Sequence, residues 1–217
     1  VDASNIGILL DLLHVARSET TFKEIEACDP NLFPYVQWCD GTAQPVGWSD
    51  SELITDALDD RLIPSEGKLD ARKFESLFDT NIPFFWTGNQ VITSNYSDNN
   101  IDSWKELFRE DRDLIIWDNT FANDYCVPKI VMQNFDGFFS KEQKKVSGFL
   151  LNASGIELID LIAIEILDNA LKEKQIMLDD ILKDRGFPKE LISLSHFFKI
   201  NISMISVILI IIFAFAK

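Results

Sequence analysis

Four short apolar runs recur in the first 120 residues, and each ends at a polar residue. They cover residues 6–10, 35–39, 82–86 and 114–117. Apolar runs of four or five residues without strict alternation are typical of parallel strands that are buried on both faces. The polar residues that follow them would lie together at the carboxyl edge of one sheet.

Helical patterns lie between these runs. Each begins at a residue type that caps helices and continues with apolar residues at helical spacing. The predicted starts are Thr20 or Thr21, Ser49 or Asp50, Asp70, and Asn99 or Asn100. Strand and helix alternate, which predicts an α/β fold. We expect a partial (β/α) TIM-type barrel with about four parallel strands, followed by C-terminal helices at residues 155–171 and 175–183.

Charge and cysteine content exclude some classes of function. The 217 residues include 35 acidic and 20 basic side chains, for a net charge of -15. Nucleic-acid binding requires clustered Lys and Arg, so no nucleic-acid partner is expected. Three scattered cysteines do not form a disulfide framework, and no secretory signal is visible at the first residues. A cytoplasmic location is therefore expected.

The last segment, residues 200–216, contains no charged residue and is flanked by Lys199 and Lys217. As a helix it would extend roughly 25 Å, slightly less than the ~30 Å hydrocarbon core of a membrane. Membrane contact, a buried terminal helix and a segment that is not native coding sequence remain open. The expected organisation is two βα segments, at residues 1–80 and 81–195, and the tail at 196–217.

The segment from residue 114 to residue 125 is the best candidate for a binding site. Its apolar run is followed by Trp117, Asn119, Asp124 and Tyr125. Asp and Asn side chains hydrogen-bond to hydroxyl and amide groups, and Trp and Tyr stack on the apolar faces of sugar rings. The pattern predicts one edge of a carbohydrate pocket.

Three motifs of the rear half resemble one family. They are Phe-Phe-Trp-Thr-Gly at 84–88, Ile-Trp-Asp-Asn with Ala-Asn-Asp-Tyr at 116–125, and Gly-Phe-Leu-Leu-Asn at 148–152. Over residues 80–170 the chain resembles the catalytic domain of the O-GlcNAcase (hyaluronidase-like β-N-acetylglucosaminidase) family. That family hydrolyses β-linked N-acetylglucosamine without a cofactor, because the substrate's own acetamide oxygen attacks the anomeric carbon.

The resemblance also implies roles for individual residues. Asp124 would bind the ring hydroxyls, Asn119 would bind near the acetamido group, and Trp117 would form a wall of the pocket. Tyr125 and Asn152 are further candidate substrate-binding residues by position.

Hydrolysis in that family also requires two adjacent acids at an earlier strand end. The candidates are Asp59-Asp60 and Asp179-Asp180, and neither pair follows an apolar run. We expect both pairs to lie on solvated helix surfaces. The catalytic residues are therefore unknown, and the chain is expected to be a fragment or fusion that lacks the acid pair.

The front half resembles a different family. Asp-Leu-Leu-His at 11–14, the run at 35–40 and the segment at 61–67 are similar to the sugar-phosphate isomerase/epimerase family with a xylose-isomerase-like barrel, over residues 5–72. This resemblance implies a Mn²⁺ or Mg²⁺ site that includes Asp11 and Gln37. His14 follows Asp11 by three residues, where it could either reach the metal or act as a hydrogen-bonded loop residue.

Three functions therefore remain open from the sequence. They are a β-N-acetylglucosaminidase-type hydrolase, a metal-dependent sugar isomerase or epimerase, and a non-catalytic half-barrel that binds sugar. A complete barrel needs about 250 residues, so a partial barrel with open sheet edges is expected. Open edges favour self-association.

Overall fold

The structure is a computed structural model, and all structural statements below concern the residues that it describes. These are residues 6–43, 47–63, 66–88, 90–93, 96, 98–109, 111–122, 134, 145–172, 174 and 176–194. They fall within two compact units. The first unit comprises Val1–Asp118 and Lys141–Leu150, and the second comprises Asn119–Ser140 and Leu151–Lys217.

One open sheet contains the described strands in sequential order. The strands are β1 (Leu10–Asp11), β2 (Val36–Gln37), β3 (Phe84–Trp86), β4 (Leu114–Asp118) and β5 (Gly148–Leu151). The pairings of β1 with β2, β2 with β3 and β3 with β4 are parallel. The α/β class is confirmed, and each of β1 to β4 overlaps a predicted strand, although β1 shares only Leu10 with the run at 6–10. β5 is additional, and closure into a TIM-type barrel remains a prediction.

Eight α-helices are described, together with a 3₁₀ turn at Pro30–Leu32. The helices are α1 (Leu12–Arg17), α2 (Phe22–Glu26), α3 (Asp50–Asp59), α4 (Ala71–Glu75), α5 (Asp98–Lys105), α6 (Glu157–Leu171), α7 (Leu178–Asp184) and α8 (Lys189–Leu194).

Capping side chains start several of these helices where the sequence predicts. Thr21 and Ser49 form capping boxes at α2 and α3, and the Asp70 carboxylate accepts a hydrogen bond from the Lys73 amide at α4. The prediction for α5 is displaced by one or two residues, because this helix begins at Asp98. Local hydrogen bonding to the first free amide groups explains why these starts can be read from the sequence.

The two faces of the sheet differ in burial. One face carries Trp38, Phe84 and Trp86, which are fully buried, and Trp104 of α5 packs edge-on against Trp38 at a centroid distance of 4.4 Å. The other face carries the half-buried Gln37, Ile115 and Trp117 beside the buried Phe85. The expected burial is therefore complete on the face that Trp104 of α5 covers and only partial on the other.

A buried ion-pair network holds the chain where it enters β3 and β4. The Arg112 guanidinium donates to the Glu75 carboxylate at 2.7 Å. It also donates to the carbonyl oxygens of Asp79 at 2.7 Å and Ile82 at 2.6 Å. Glu75 ends α4, and Arg112 lies two residues before β4, so one guanidinium fixes a helix end and two strand entries.

The second unit has its own apolar core, in which α6 packs against α7. Its buried members are Phe121, Ile159, Ile162, Ala163, Ile166, Leu178, Ile181 and Leu182. The predicted helix at residues 155–171 is therefore present, and its Leu158 stays 47% exposed outside this core. Among the described helices, none is long and apolar enough to cross a membrane. The tail at 196–217 lies outside the described residues.

Candidate functional site

Trp117 is the penultimate residue of β4, directly before Asp118 and Asn119. Its side chain lies on the less covered face of the first unit's sheet and is half-buried. The ring packs edge-on against Phe85, with a centroid distance of 5.8 Å. A partly exposed indole that is held by a second ring can offer an apolar surface to a sugar.

Gly88 explains the glycine of the Trp-Thr-Gly motif. It follows β3 with a φ of 92°, a left-handed conformation that L-residues with side chains rarely adopt. A Cβ at this position would also overlap the side chain of Thr93. The motif therefore forms a tight exit from β3 at the carboxyl edge of the sheet.

Asp118 ends β4 and is buried with a specific partner. The Tyr96 hydroxyl donates to Asp118 Oδ2 at 3.0 Å. Burial, followed by the negative charge of Asp118, raises the pKa of Tyr96 well above its ordinary value. The phenol therefore stays protonated and remains a hydrogen-bond donor over the neutral pH range.

Two predicted sugar-binding residues meet in the second unit. The Asn152 side-chain amide donates to Asn119 Oδ1 at 2.9 Å, although 33 residues separate the two in sequence. Asn119 is buried and Asn152 is half-buried. The other two predicted residues of this group, Asp124 and Tyr125, lie outside the described residues.

Asp11, the first predicted metal ligand, is engaged in protein contacts. Its Oδ2 accepts a hydrogen bond from the Arg61 guanidinium at 2.9 Å, and both side chains are buried. Its Oδ1 caps α1 by accepting from the Leu13 amide at 2.8 Å. The Cys39 thiol is 3.6 Å from the same oxygen, and burial raises its pKa far above the ordinary value. Asp11 therefore holds a helix start and a buried guanidinium.

The other two predicted metal ligands do not complete a metal site. His14 is exposed on α1, and Gln37 lies half-buried on the less covered sheet face. Within the described part of the chain, no group of three or more His, Cys, Asp and Glu side chains could hold a metal ion. The residues present do not fit the expected Mn²⁺ or Mg²⁺ site, and the structure offers that expectation no support.

The two acid pairs lie on helices, as expected from the sequence. Asp59 and Asp60 end α3, and Asp60 is exposed. Asp179 and Asp180 lie in the first turn of α7, where Asp180 accepts a hydrogen bond from the Met177 amide at 3.3 Å. Neither pair stands at a strand end, which is where substrate-assisted hydrolysis in the resembled family needs it.

Sequence reasoning missed two contacts of this region. Tyr96 lies among polar residues with no apolar periodicity, so nothing local indicates that it is buried against a strand end. Arg61 lies in the segment at 61–67, and nothing local indicates that its guanidinium is buried against Asp11, 50 residues away in sequence. In both cases the partner is distant along the chain.

Comparison with known proteins identifies one family. A family model described as beta-N-acetylglucosaminidase matches residues 64–178, just over half of the chain. A search of curated proteins found no match. The resemblance of the front half to sugar isomerases receives no support from these comparisons. Because the matched region covers more than half of the chain and contains all three rear-half motifs, this chain belongs to the β-N-acetylglucosaminidase family.

Proposed function

We propose that this chain binds β-linked N-acetylglucosamine but hydrolyses it little or not at all. The observation that carries the proposal is the hydrogen bond between Asn152 and Asn119. Both residues were expected to bind the same sugar, and the fold brings them within 2.9 Å of each other.

The chemistry of these side chains suits an acetamido sugar. A side-chain amide offers both a donor and an acceptor, as does the N-acetyl group of the ligand. The mutual contact of two amides also orients them before the ligand arrives, which lowers the ordering cost of binding. Asp124, by family resemblance, would bind ring hydroxyls.

The proposal separates binding from catalysis. The chain has two Asp-Asp pairs: Asp59-Asp60 closes α3, and Asp179-Asp180 lies in the first turn of α7. The family's substrate-assisted reaction needs one acid to orient the acetamide and another as general acid/base at a strand end. We propose that Asn119 and Asn152 supply the sugar-binding edge, and that the chain lacks the acid pair at a strand end.

Isothermal titration of the full chain with methyl β-N-acetylglucosaminide tests this function. We expect saturable binding, and no binding of methyl β-glucoside, which lacks the acetamide. Asn119→Ala should weaken binding at least tenfold, because it removes a buried amide partner. Asn81→Ala, on an exposed turn before β3, is the matched control and should leave the affinity unchanged. Equal affinity for the two glycosides would contradict the proposal.

A further inference from the structure

The buried pair of Tyr96 and Asp118 has no role in the function described above. Tyr96 is 3% exposed and Asp118 is 1% exposed, and their side chains are joined at 3.0 Å. The Tyr96 ring is also braced by Trp86 of β3, edge-on at a centroid distance of 5.7 Å. Tyr96 is therefore held on both its ring and its hydroxyl.

This contact lies beyond the paired part of the strands. The register of β3 with β4 runs as far as Trp86 opposite Ile116, and Asp118 comes two residues later. Tyr96 lies in the segment between β3 and α5 and reaches Asp118 from 22 residues away. The hydrogen bond thus anchors the carboxyl end of β4 after its pairing with β3 has ended.

We propose that Tyr96 is a positioning residue for sugar binding: by holding Asp118, it fixes the backbone from which Asn119 follows by one peptide bond. The inference rests on the proposed function, because it needs Asn119 to bind the acetamido sugar. Binding groups must be held within about 0.5 Å of their productive geometry, so a small movement of this strand end weakens binding. Tyr96 does not itself contact the ligand.

Tyr96→Phe is the direct test, because it removes only the hydroxyl group. We expect it to weaken the affinity for methyl β-N-acetylglucosaminide about tenfold in isothermal titration, at a temperature well below the unfolding transition. Tyr35→Phe is the matched control. The Tyr35 ring packs against Phe85 at 5.0 Å near the start of β2, and this variant should bind within twofold of wild type.

Two substitutions of Asp118, the residue that accepts the Tyr96 hydrogen bond, repeat the test. Asp118→Asn keeps an acceptor oxygen and should retain affinity within about threefold of wild type. Asp118→Leu removes the acceptor and should weaken binding as Tyr96→Phe does, and the double variant should be no weaker than either single variant. A lower melting temperature with unchanged affinity in Tyr96→Phe and Asp118→Leu would overturn the inference, since it would show a purely structural contact.

Asn119→Ala separates failure of this inference from failure of the proposed function. If Asn119→Ala loses binding while Tyr96→Phe binds like wild type, only the positioning role is overturned. If the wild-type chain does not bind the glycoside, or if Asn119→Ala binds it normally, both proposals are overturned.

Discussion

Replacing Glu75 by Ala should strongly destabilise the first unit. Glu75 Oε1 accepts from the Arg112 guanidinium at 2.7 Å, and both side chains are almost completely buried. The variant leaves a buried guanidinium without its counter-charge, although the carbonyl oxygens of Asp79 and Ile82 still accept from it. Removing one partner of a buried ion pair typically costs about 3–5 kcal/mol.

The expected loss is a large part of a typical unfolding free energy, which is about 5–15 kcal/mol for a domain. Urea denaturation followed by tryptophan fluorescence would measure it, because Trp38, Trp86 and Trp104 are buried in the same unit. The midpoint should fall while the slope of free energy against urea stays constant.

Glu26→Ala is the matched control for this prediction. This variant breaks the ion pair between Glu26 and Lys73, whose side chains are 48% and 49% exposed, respectively. Such surface pairs contribute about 0–1 kcal/mol to stability. A Glu75→Ala variant within about 1 kcal/mol of wild type would refute the reasoning, as would an equal loss in Glu26→Ala.

Three further predictions follow from the described contacts. Gly67→Ala should lower the melting temperature by several degrees, because a Cβ would overlap the Asp40 carboxylate. Gly148→Ala should be tolerated, because the nearest atom to its Cβ would be 3.6 Å away, and calorimetry measures both melting temperatures. Iodoacetamide at pH 8 should modify the exposed Cys28 and spare Cys39, because burial raises the pKa of the Cys39 thiol and blocks access to it. Labelling of Cys39 in peptide mass spectrometry would contradict this. Calorimetric titration with Mn²⁺ should give the same result for the wild type and Asp11→Ala, because Arg61 already pairs with the Asp11 carboxylate. A binding heat that is present in the wild type and absent in Asp11→Ala would contradict this.

Much of the first unit could be predicted because its signals are local. Each of the four predicted strands is an apolar run, and capping by Thr21, Ser49 and Asp70 depends on residues within one helical turn. β5 was not predicted as a strand, because Gly148–Leu151 is short and begins with a flexible residue.

The candidate site was only partly predictable, because its decisive contacts join distant residues. Asp11 was expected to bind a metal, and α1 directly after it was not predicted. A carboxylate after an apolar run suits either a metal ligand or a helix cap, and the partner that decides between them, Arg61, is 50 residues away. The pairing of Asn119 with Asn152 could be proposed from family resemblance, but not from periodicity.

The most direct test of the central claim is release of 4-nitrophenol from its β-N-acetylglucosaminide, measured in a sample whose glycoside binding has been established by titration. We predict binding without release above the buffer rate, since the acid pairs at Asp59-Asp60 and Asp179-Asp180 belong to helices. Robust release that is lost in Asp124→Ala would contradict the account, because it would show that the catalytic acids are present elsewhere in this chain.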